Sequence, residues 1–233
     1  MIVLVGVAHV IDVSGQIERL VHVHSPAAVG VELDPGRYRA MLSKGSRREV
    51  PLPYRLLALM QRRLAEQFGG EVGAEMLAAV DAAGRHGAQV IFIDLEAERL
   101  FNSLLRQMSF REKVMMSLSS LTGLFLSRER VERELEEFQS NEEGYMGLMA
   151  QNYPTVKRVL IDERNEHMAK AILKAEGQFG SVMAVVGDGH VEGIRRLLSR
   201  EDLVAYRLKD LREMGAGELT RTDEASFSFV VQD

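Results

Sequence analysis

The sequence predicts an α/β protein with a central mixed β-sheet, and three observations lead to this fold class. Continuous apolar runs typical of buried strands recur along the chain, and helical patterns separate them. Two of the runs lead into the same pattern, first Gly6-Val7-Ala8-His9 and later Gly187-Asp188-Gly189-His190. We therefore expect a sheet built from two strand–Gly-x-x-His–helix–strand units, with a large helical insertion between them.

The first unit follows from the pattern of residues 2–34. Residues 2–7 form an apolar run that predicts a strand, and residues 10–23 have the spacing of a helix. Residues 28–33 predict a second strand, which ends in the acidic sequence Glu32-Leu33-Asp34. The order strand, helix, strand indicates a β-α-β unit of ordinary size.

Helical patterns dominate the middle of the chain. Residues 54–85 carry Leu and Met at helical spacing with a break at Gly69-Gly70, and residues 89–94 predict a third strand that ends on Asp94. Residues 96–139 are rich in Glu and Arg and lack proline, which predicts a helical excursion. Its charged run at 128–137 is interpreted as a solvated helix with i,i+4 ion pairs, or as a partner-binding arm or lid.

The last part of the chain repeats the order of the first. After Pro154 the pattern predicts a helix that starts at Thr155 or at Asp162 and ends at Glu176, followed by a strand that ends at Gly187. A helix over residues 191–198 and a strand over 203–208 complete the second unit, and residues 225–231 alternate like an edge strand. We expect one domain over residues 1–233, with the helical excursion at about 96–150 inserted between its halves.

The composition limits the classes of function. The 233 residues carry a formal net charge of −5 without a dense Lys/Arg block, so nucleic acid is not an expected partner. Because cysteine is absent, the chain can form neither a disulfide nor a thiolate zinc site. No segment reaches the roughly 18–20 uncharged apolar residues that span a bilayer, and the first residues do not resemble a signal peptide. We expect a cytoplasmic protein without a transmembrane segment.

The histidines of the repeated pattern, His9 and His190, are the leading candidates for metal ligands. Each follows a predicted strand, at the end of the sheet where open α/β folds bind ligands. Two imidazoles with one carboxylate suit zinc, manganese or cobalt and leave a position open for water. Glu32 is the expected third ligand because it ends the second strand of the first unit. The alternative is that both histidines only cap helices.

Charged residues at two other places could support such a site. Arg164 has a planar fork of donors that could neutralise a substrate carboxylate or an oxyanion. Asp162 is a natural N-cap for the helix that contains Arg164. Glu163 and His167 lie four positions apart, as either a metal-binding pair or a surface pair.

Asp94 ends the third predicted strand, and Arg37 lies three residues after Asp34. Asp94 could accept a hydrogen bond from a ligand histidine or cap the helix that follows it. Arg37 could pair with Asp34 or face the cleft.

With these motifs, the chain resembles the TraB/Tiki family. This family includes pheromone-shutdown proteins related to Tiki metalloproteases. It is more distantly similar to erythromycin-esterase-like (EreA) and ChaN-like proteins. Five motifs carry the resemblance, in the family's order, over about residues 1–210. They are Gly6-Val7-Ala8-His9-Val10, Val31-Glu32-Leu33-Asp34 with Arg37, Ile93-Asp94 followed by Arg106, Asp162-Glu163-Arg164-Asn165 with Met168-Ala169, and Gly187-Asp188-Gly189-His190 with Gly193-Ile194.

The resemblance implies a catalytic set and a metal. In the family's protease members, paired Gly-x-x-His motifs act with a Glu, an Arg and divalent manganese or cobalt in peptide hydrolysis. Carried over by position, the catalytic residues are His9, His190, Glu32 and Arg164, the first three of which would bind the metal. Supporting or substrate-binding roles fall to Asp94, Arg37, Glu163 and Arg106.

The leading hypothesis is a metal-dependent hydrolase, a peptidase, that uses Mn²⁺, Co²⁺ or Zn²⁺. Two alternatives stay open: a non-catalytic module that binds a peptide or small signal, and an esterase that acts on a small ester or lactone. The expected partner is a peptide or small-molecule substrate. The helical excursion is in addition a candidate homodimer interface, because its Met and Leu side chains need covering.

Overall fold

The computed structural model describes residues 1–8, 11–42, 73–115, 133 and 141–216. The strands are β1 Ile2–Val7, β2 Ala28–Val31, β3 Gln89–Phe92, β4 Val182–Gly187 and β5 Val204–Tyr206. The helices are α1 Ser14–His24, α2 Pro35–Leu42, α3 Ala74–Arg85, α4 Ala97–Gln107, α5 Glu142–Asn152, α6 Pro154–Lys157, α7 Glu163–Phe179, α8 Asp188–Leu198 and α9 Leu208–Ala216, and a π-helical turn at Arg158–Asp162 joins α6 to α7. Residues 110–115 are also helical.

The sheet has the strand order β3-β2-β4-β1-β5. All four pairings between the described strands are parallel, so the prediction of an α/β fold is confirmed but the described sheet is not the mixed one expected. The two predicted units interleave. The first runs from β1 to β2 across β4, and the second runs from β4 to β5 across β1. Interleaving brings the ends of β2 and β4 side by side.

Helices cover both faces of the sheet, as its continuous apolar strands require. Alternate residues of β1 point to opposite faces. Val3, Val5 and Val7 pack in one core cluster with α1, α3 and α9. Ile2 and Leu4 pack in a second cluster with α7 and α8. Burial on both sides fixes the register of the central strands and therefore the positions of the residues that follow them.

The start of α1, the end of β5 and an additional helix are among the differences from the sequence-based predictions. Helix α1 begins only at Ser14, where Asp12 Oδ1 accepts the Ser14 amide at 3.0 Å. Strand β5 ends at Tyr206, and an unpredicted helix, α9, starts at Leu208. Asp210 Oδ2 accepts the Arg207 amide at 2.7 Å, which ends the strand and stabilises the first turn of α9.

Several predicted features lie outside the described residues: the helical pattern of residues 54–72, most of the excursion between 116 and 140, the tail strand, and His9. Within the described part of the chain, no helix is long and apolar enough to cross a membrane.

A third core cluster joins α4 to the helical turns before α7 through Leu104, Met108, Val156 and Val159. Glu112 lies beside this cluster and is only 3% exposed. Its Oε2 accepts the Ser109 amide and hydroxyl, each at 2.9 Å, and its Oε1 accepts the Thr155 amide at 2.7 Å at the start of α6. This carboxylate therefore ties the end of the α4 region to α6.

Glu112 predicts a stability change in acid. Burial opposes its ionisation, but the hydrogen bonds from Ser109 and Thr155 outweigh burial and lower its pKa from the ordinary value of 4.5 to about 2. A lowered pKa stabilises the fold above pH 4.5, and this contribution is lost as the pH falls towards 2. The free energy of unfolding of the wild type should therefore drop more steeply over that range than that of Glu112→Gln, as measured by urea denaturation. Parallel curves for the two proteins would contradict the role given to Glu112.

Gly6 predicts a second stability effect, because β1 passes close to the start of α8. A Cβ at position 6 would lie 2.8 Å from Val191 Cγ2, 3.2 Å from Asp188 Cα and closer still to Asp188 Oδ1. Gly6→Ala should lower the free energy of unfolding by about 1–3 kcal/mol in urea denaturation. The matched control is Gly15→Ala in α1, where a Cβ meets nothing within 4 Å and stability should hold or rise slightly. Equal effects of the two substitutions would count against the packing described here.

Candidate active site

The candidate site lies at the carboxyl edge of the sheet, where three neighbouring strands end in polar residues. Asp94 follows β3, Glu32 follows β2, and His190 follows β4 in the first turn of α8. Because the strands are parallel and adjacent in this order, their ends meet at the same edge. Glu32, Asp94 and His190 are all buried. The sheet itself therefore brings two carboxylates and one imidazole together.

Arg164 from α7 joins these strand ends. Its Nε and Nη2 donate to Asp94 Oδ1 and Oδ2, both at 2.9 Å, in a bidentate pair. Nη2 also donates to Glu32 Oε1, and Nη1 donates to His190 Nε2 at 3.1 Å and to the Leu160 carbonyl at 3.4 Å. All five N–H groups of the guanidinium thus have acceptors.

Electrostatics fix the charge of Arg164. Its side chain is 13% exposed, and those of Glu32 and Asp94 are 4% and 2% exposed. Burial of the guanidinium opposes its charge, but the attraction of Glu32 and the hydrogen bonds to Asp94 outweigh burial and raise the pKa of Arg164. Arg164 is therefore a permanent cation between two buried anions.

Glu32 contacts the end of β4 as well as Arg164. Its Oε2 accepts the Gly187 amide at 2.5 Å, while its Oε1 lies 3.7 Å from His190 Nε2. The backbone amide of Glu32 donates to the Val185 carbonyl at 3.1 Å, which continues the β2–β4 ladder by one residue. Backbone hydrogen bonds therefore fix both the main chain and the carboxylate of Glu32, and they hold its Oε1 near His190.

The ring of His190 is held from its other side by Asn165. His190 Nδ1 and Asn165 Oδ1 are 2.7 Å apart, and both residues are buried. Asn165 stands beside Arg164 in one of the motifs of the family resemblance, but the sequence alone assigns it no role. In a helix of period 3.6 the two neighbours point about 100° apart, which lets Arg164 reach Asp94 and Glu32 while Asn165 meets α8.

One of the two predicted starts for the helix that carries Arg164 was Asp162, but the helical chain begins earlier. The chain is helical from Pro154, and the π-helical turn continues it directly into α7, so the Glu163 amide already donates to the Arg158 carbonyl. Asp162 makes no capping hydrogen bond and accepts from Lys157 Nζ at 2.6 Å. Its prediction as an N-cap was wrong because the amides it would cap have backbone acceptors. π-Helical turns are frequent at functional sites.

The other predicted residues are placed as follows. Arg37 Nη1 lies 3.5 Å from Asp94 Oδ2, so its guanidinium contacts the site from the solvent side. Glu163 pairs with Arg158 at 2.5 Å and is 39% exposed, and His167 is also exposed. Arg106 donates to the Asn102 carbonyl within α4.

Arg106 lines a surface cavity of α4 rather than the group around Arg164. The other residues that line this cavity are Arg99, Asn102, Ser103 and Leu105.

Arg164→Ala predicts a large loss of stability. Removal of the guanidinium leaves Glu32 and Asp94 buried without their main cation, which typically costs about 3–5 kcal/mol. Arg164→Lys keeps the charge but not the bidentate geometry, so its loss should be smaller. The matched control is Arg99→Ala, which breaks an exposed pair with Glu96 and should cost less than about 1 kcal/mol. Urea denaturation of the three variants checks the order, and a change of similar size at positions 99 and 164 would refute it.

Comparison with known proteins places the whole arrangement in a family. Residues 1–203 match the TraB/PrgY/gumN family. The chain is 31% identical over 213 residues to the protein named Uncharacterized protein MJ1365 of Methanocaldococcus jannaschii, in a match that covers 85% of this chain and 53% of that protein. This chain thus spans about half the length of the curated relative it matches. The match over most of its length shows that the chain belongs to the TraB/PrgY/gumN family.

Proposed function

We propose that the chain is a metal-dependent hydrolase that acts on peptides, with Mn²⁺, Co²⁺ or Zn²⁺ held by Glu32, His190 and His9. One observation carries the proposal: Glu32 Oε1 and His190 Nε2 lie 3.7 Å apart at the carboxyl edge of the sheet, beside the guanidinium of Arg164. A carboxylate and an imidazole nitrogen are ligands that divalent ions use in hydrolases, and a fixed cation beside them could stabilise an oxyanion.

The distance between Glu32 and His190 supports the proposal of one shared divalent ion. Two ligands with bonds of about 2.1 Å to one tetrahedral ion lie about 3.4 Å apart, close to the 3.7 Å between Glu32 and His190. His190 also has a hydrogen-bond partner on its other ring nitrogen, as metal-binding histidines usually do. The described residues contain no group of three or more His, Asp or Glu side chains that could hold a metal. The proposal therefore assigns the third ligand to His9, which follows β1 in the sequence.

The chain's own residues supply the remaining roles. A bound divalent ion lowers the pKa of its water and polarises a carbonyl. Arg164 would release its donors on Nη1 and Nη2 when His190 and Glu32 turn their acceptors to the ion. These donors would then be available to stabilise an oxyanion. Asp94 would keep Arg164 in place through Nε and its second contact to Nη2.

Metal binding gives the first test. Metal-stripped protein titrated with Mn²⁺, Co²⁺ or Zn²⁺ in a calorimeter should bind one ion per chain. His9→Ala, His190→Ala and Glu32→Gln should each weaken binding by more than the roughly 10–100-fold typical for loss of a partner outside the coordination sphere. His167→Ala removes an exposed histidine of α7 and should bind like the wild type. Unchanged affinity in the three ligand variants would overturn the proposed site.

Turnover gives the second test, on a fluorogenic peptide library with the best-bound ion. The proposal expects cleavage that a chelator abolishes and that Arg164→Lys reduces while metal binding persists. Cleavage of small esters without cleavage of any peptide would favour the esterase reading. Peptide binding without cleavage of either substrate class would favour a regulatory binding module.

A further inference from the structure

His190 has two ring nitrogens, and the structure gives each a different partner. Nδ1 is 2.7 Å from Asn165 Oδ1, and Nε2 is 3.1 Å from Nη1 of Arg164. From these contacts we infer that Asn165 is a positioning residue that holds neutral His190 in the tautomer with the proton on Nδ1. The lone pair of Nε2 then accepts from Arg164.

Both contacts require the same tautomer. Every nitrogen of a guanidinium can only donate, so Nε2 must accept from Arg164. A neutral imidazole with an accepting Nε2 carries its proton on Nδ1, and that proton needs an acceptor. Asn165 Oδ1 provides one. If the Asn165 amide were turned to present its NH₂ group, Nδ1 would have to accept, and Nε2–H would face the donors of Arg164.

Gly193 gives Asn165 the space for this contact. It lies three residues after His190, so the two are neighbours on one face of α8. A Cβ at position 193 would lie 2.9 Å from Asn165 Cγ and closer still to its Nδ2. Helix α8 therefore supplies both the histidine and the notch that admits the amide from α7.

The tautomer decides what His190 can do. With a proton on Nδ1, Nε2 carries the lone pair, which accepts from Arg164 here and could serve as a metal ligand or a proton acceptor once that donor moves away. Glu32 Oε1 lies 3.7 Å from the same nitrogen. The use of this lone pair for a metal depends on the proposed function. The tautomer itself does not, because its contacts are made by protein groups alone.

Nitrogen-15 NMR of the histidine rings tests the inference directly on the metal-free full chain. The His190 signals are assigned by their loss in His190→Ala, and the spectra are recorded at mildly alkaline pH, where histidine is ordinarily neutral. The wild type should show a protonated Nδ1 and an unprotonated Nε2 for His190. A protonated Nε2 in the wild type would overturn the inference.

Two substitutions of Asn165 separate its acceptor from its bulk. Asn165→Leu leaves Nδ1–H without its acceptor and Arg164 as the remaining partner of the ring, so the other tautomer should become measurably populated. Asn165→Asp keeps an acceptor and should keep the wild-type signals. Asn152→Leu, at the exposed end of α5, is the matched control and should change nothing. Wild-type His190 signals in Asn165→Leu would overturn the inference. If that variant does not fold, Asn165→Asp and the glycine variants below decide.

Alanine substitutions at Gly193 and, as a control, at Gly177 test whether Asn165 needs the space beside Gly193. Gly193→Ala should displace the amide and change the His190 signals as Asn165→Leu does. Gly177→Ala adds the same methyl group within α7, where a Cβ meets nothing within 4 Å, and should leave them unchanged. Identical signals in the two alanine variants would overturn the role given to Gly193 and Asn165.

Mn²⁺ titration of the same proteins separates this inference from the proposed function. Asn165→Leu and Gly193→Ala should bind Mn²⁺ about 10–100-fold more weakly than the wild type, and Asn152→Leu and Gly177→Ala should match it. A tautomer change in Asn165→Leu with no Mn²⁺ binding by any protein would support the positioning role and defeat the metal site. The opposite result is an unchanged His190 tautomer in Asn165→Leu together with loss of Mn²⁺ binding in the ligand variants. It would support the metal site and defeat the positioning role.

Discussion

The structure depends on one buried cation. Arg164 neutralises Glu32 and Asp94, which would otherwise be two carboxylates held out of water at neighbouring strand ends. Burying such charges costs several kcal/mol per ion unless each is paired in good geometry. The bidentate contact to Asp94 and the contacts to Glu32 and His190 satisfy that condition. The ends of β2, β3 and β4 and the start of α7 must therefore be positioned together.

The backbone around Arg164 also helps to hold its acceptors in position. The π-helical turn carries the chain from α6 into α7 without a break, and its Leu160 carbonyl accepts from Arg164. On the other side, Gly187 donates its amide to Glu32 at the point where β4 turns into α8. Because both helix starts are bonded to the site, a shift of either one would misplace the acceptors that surround the guanidinium.

The sequence was enough to predict the strands and the strand-end residues. Continuous apolar runs mark buried strands, and an acid or a Gly-x-x-His directly after such a run is expected at the edge of the sheet. Glu32, Asp94 and His190 lie at that edge in the structure. Strand order could not be predicted this way, because β-α-β periodicity does not show that the units interleave. Asn165 belongs to a motif of the family resemblance, but its contact with His190 could not be predicted, because the sequence does not show that α8 packs against this face of α7.

The most direct test of the account is a crystal structure of the full chain grown with Mn²⁺, with diffraction data collected at the manganese absorption edge. We expect an anomalous peak beside Glu32 Oε1 and His190 Nε2, with Arg164 still bidentate to Asp94 and turned away from both ligands. The contradicting result is a map without a peak at the carboxyl edge, in which the Arg164 guanidinium still bridges Glu32 and His190. In that case the site would be complete with its own arginine as the cation.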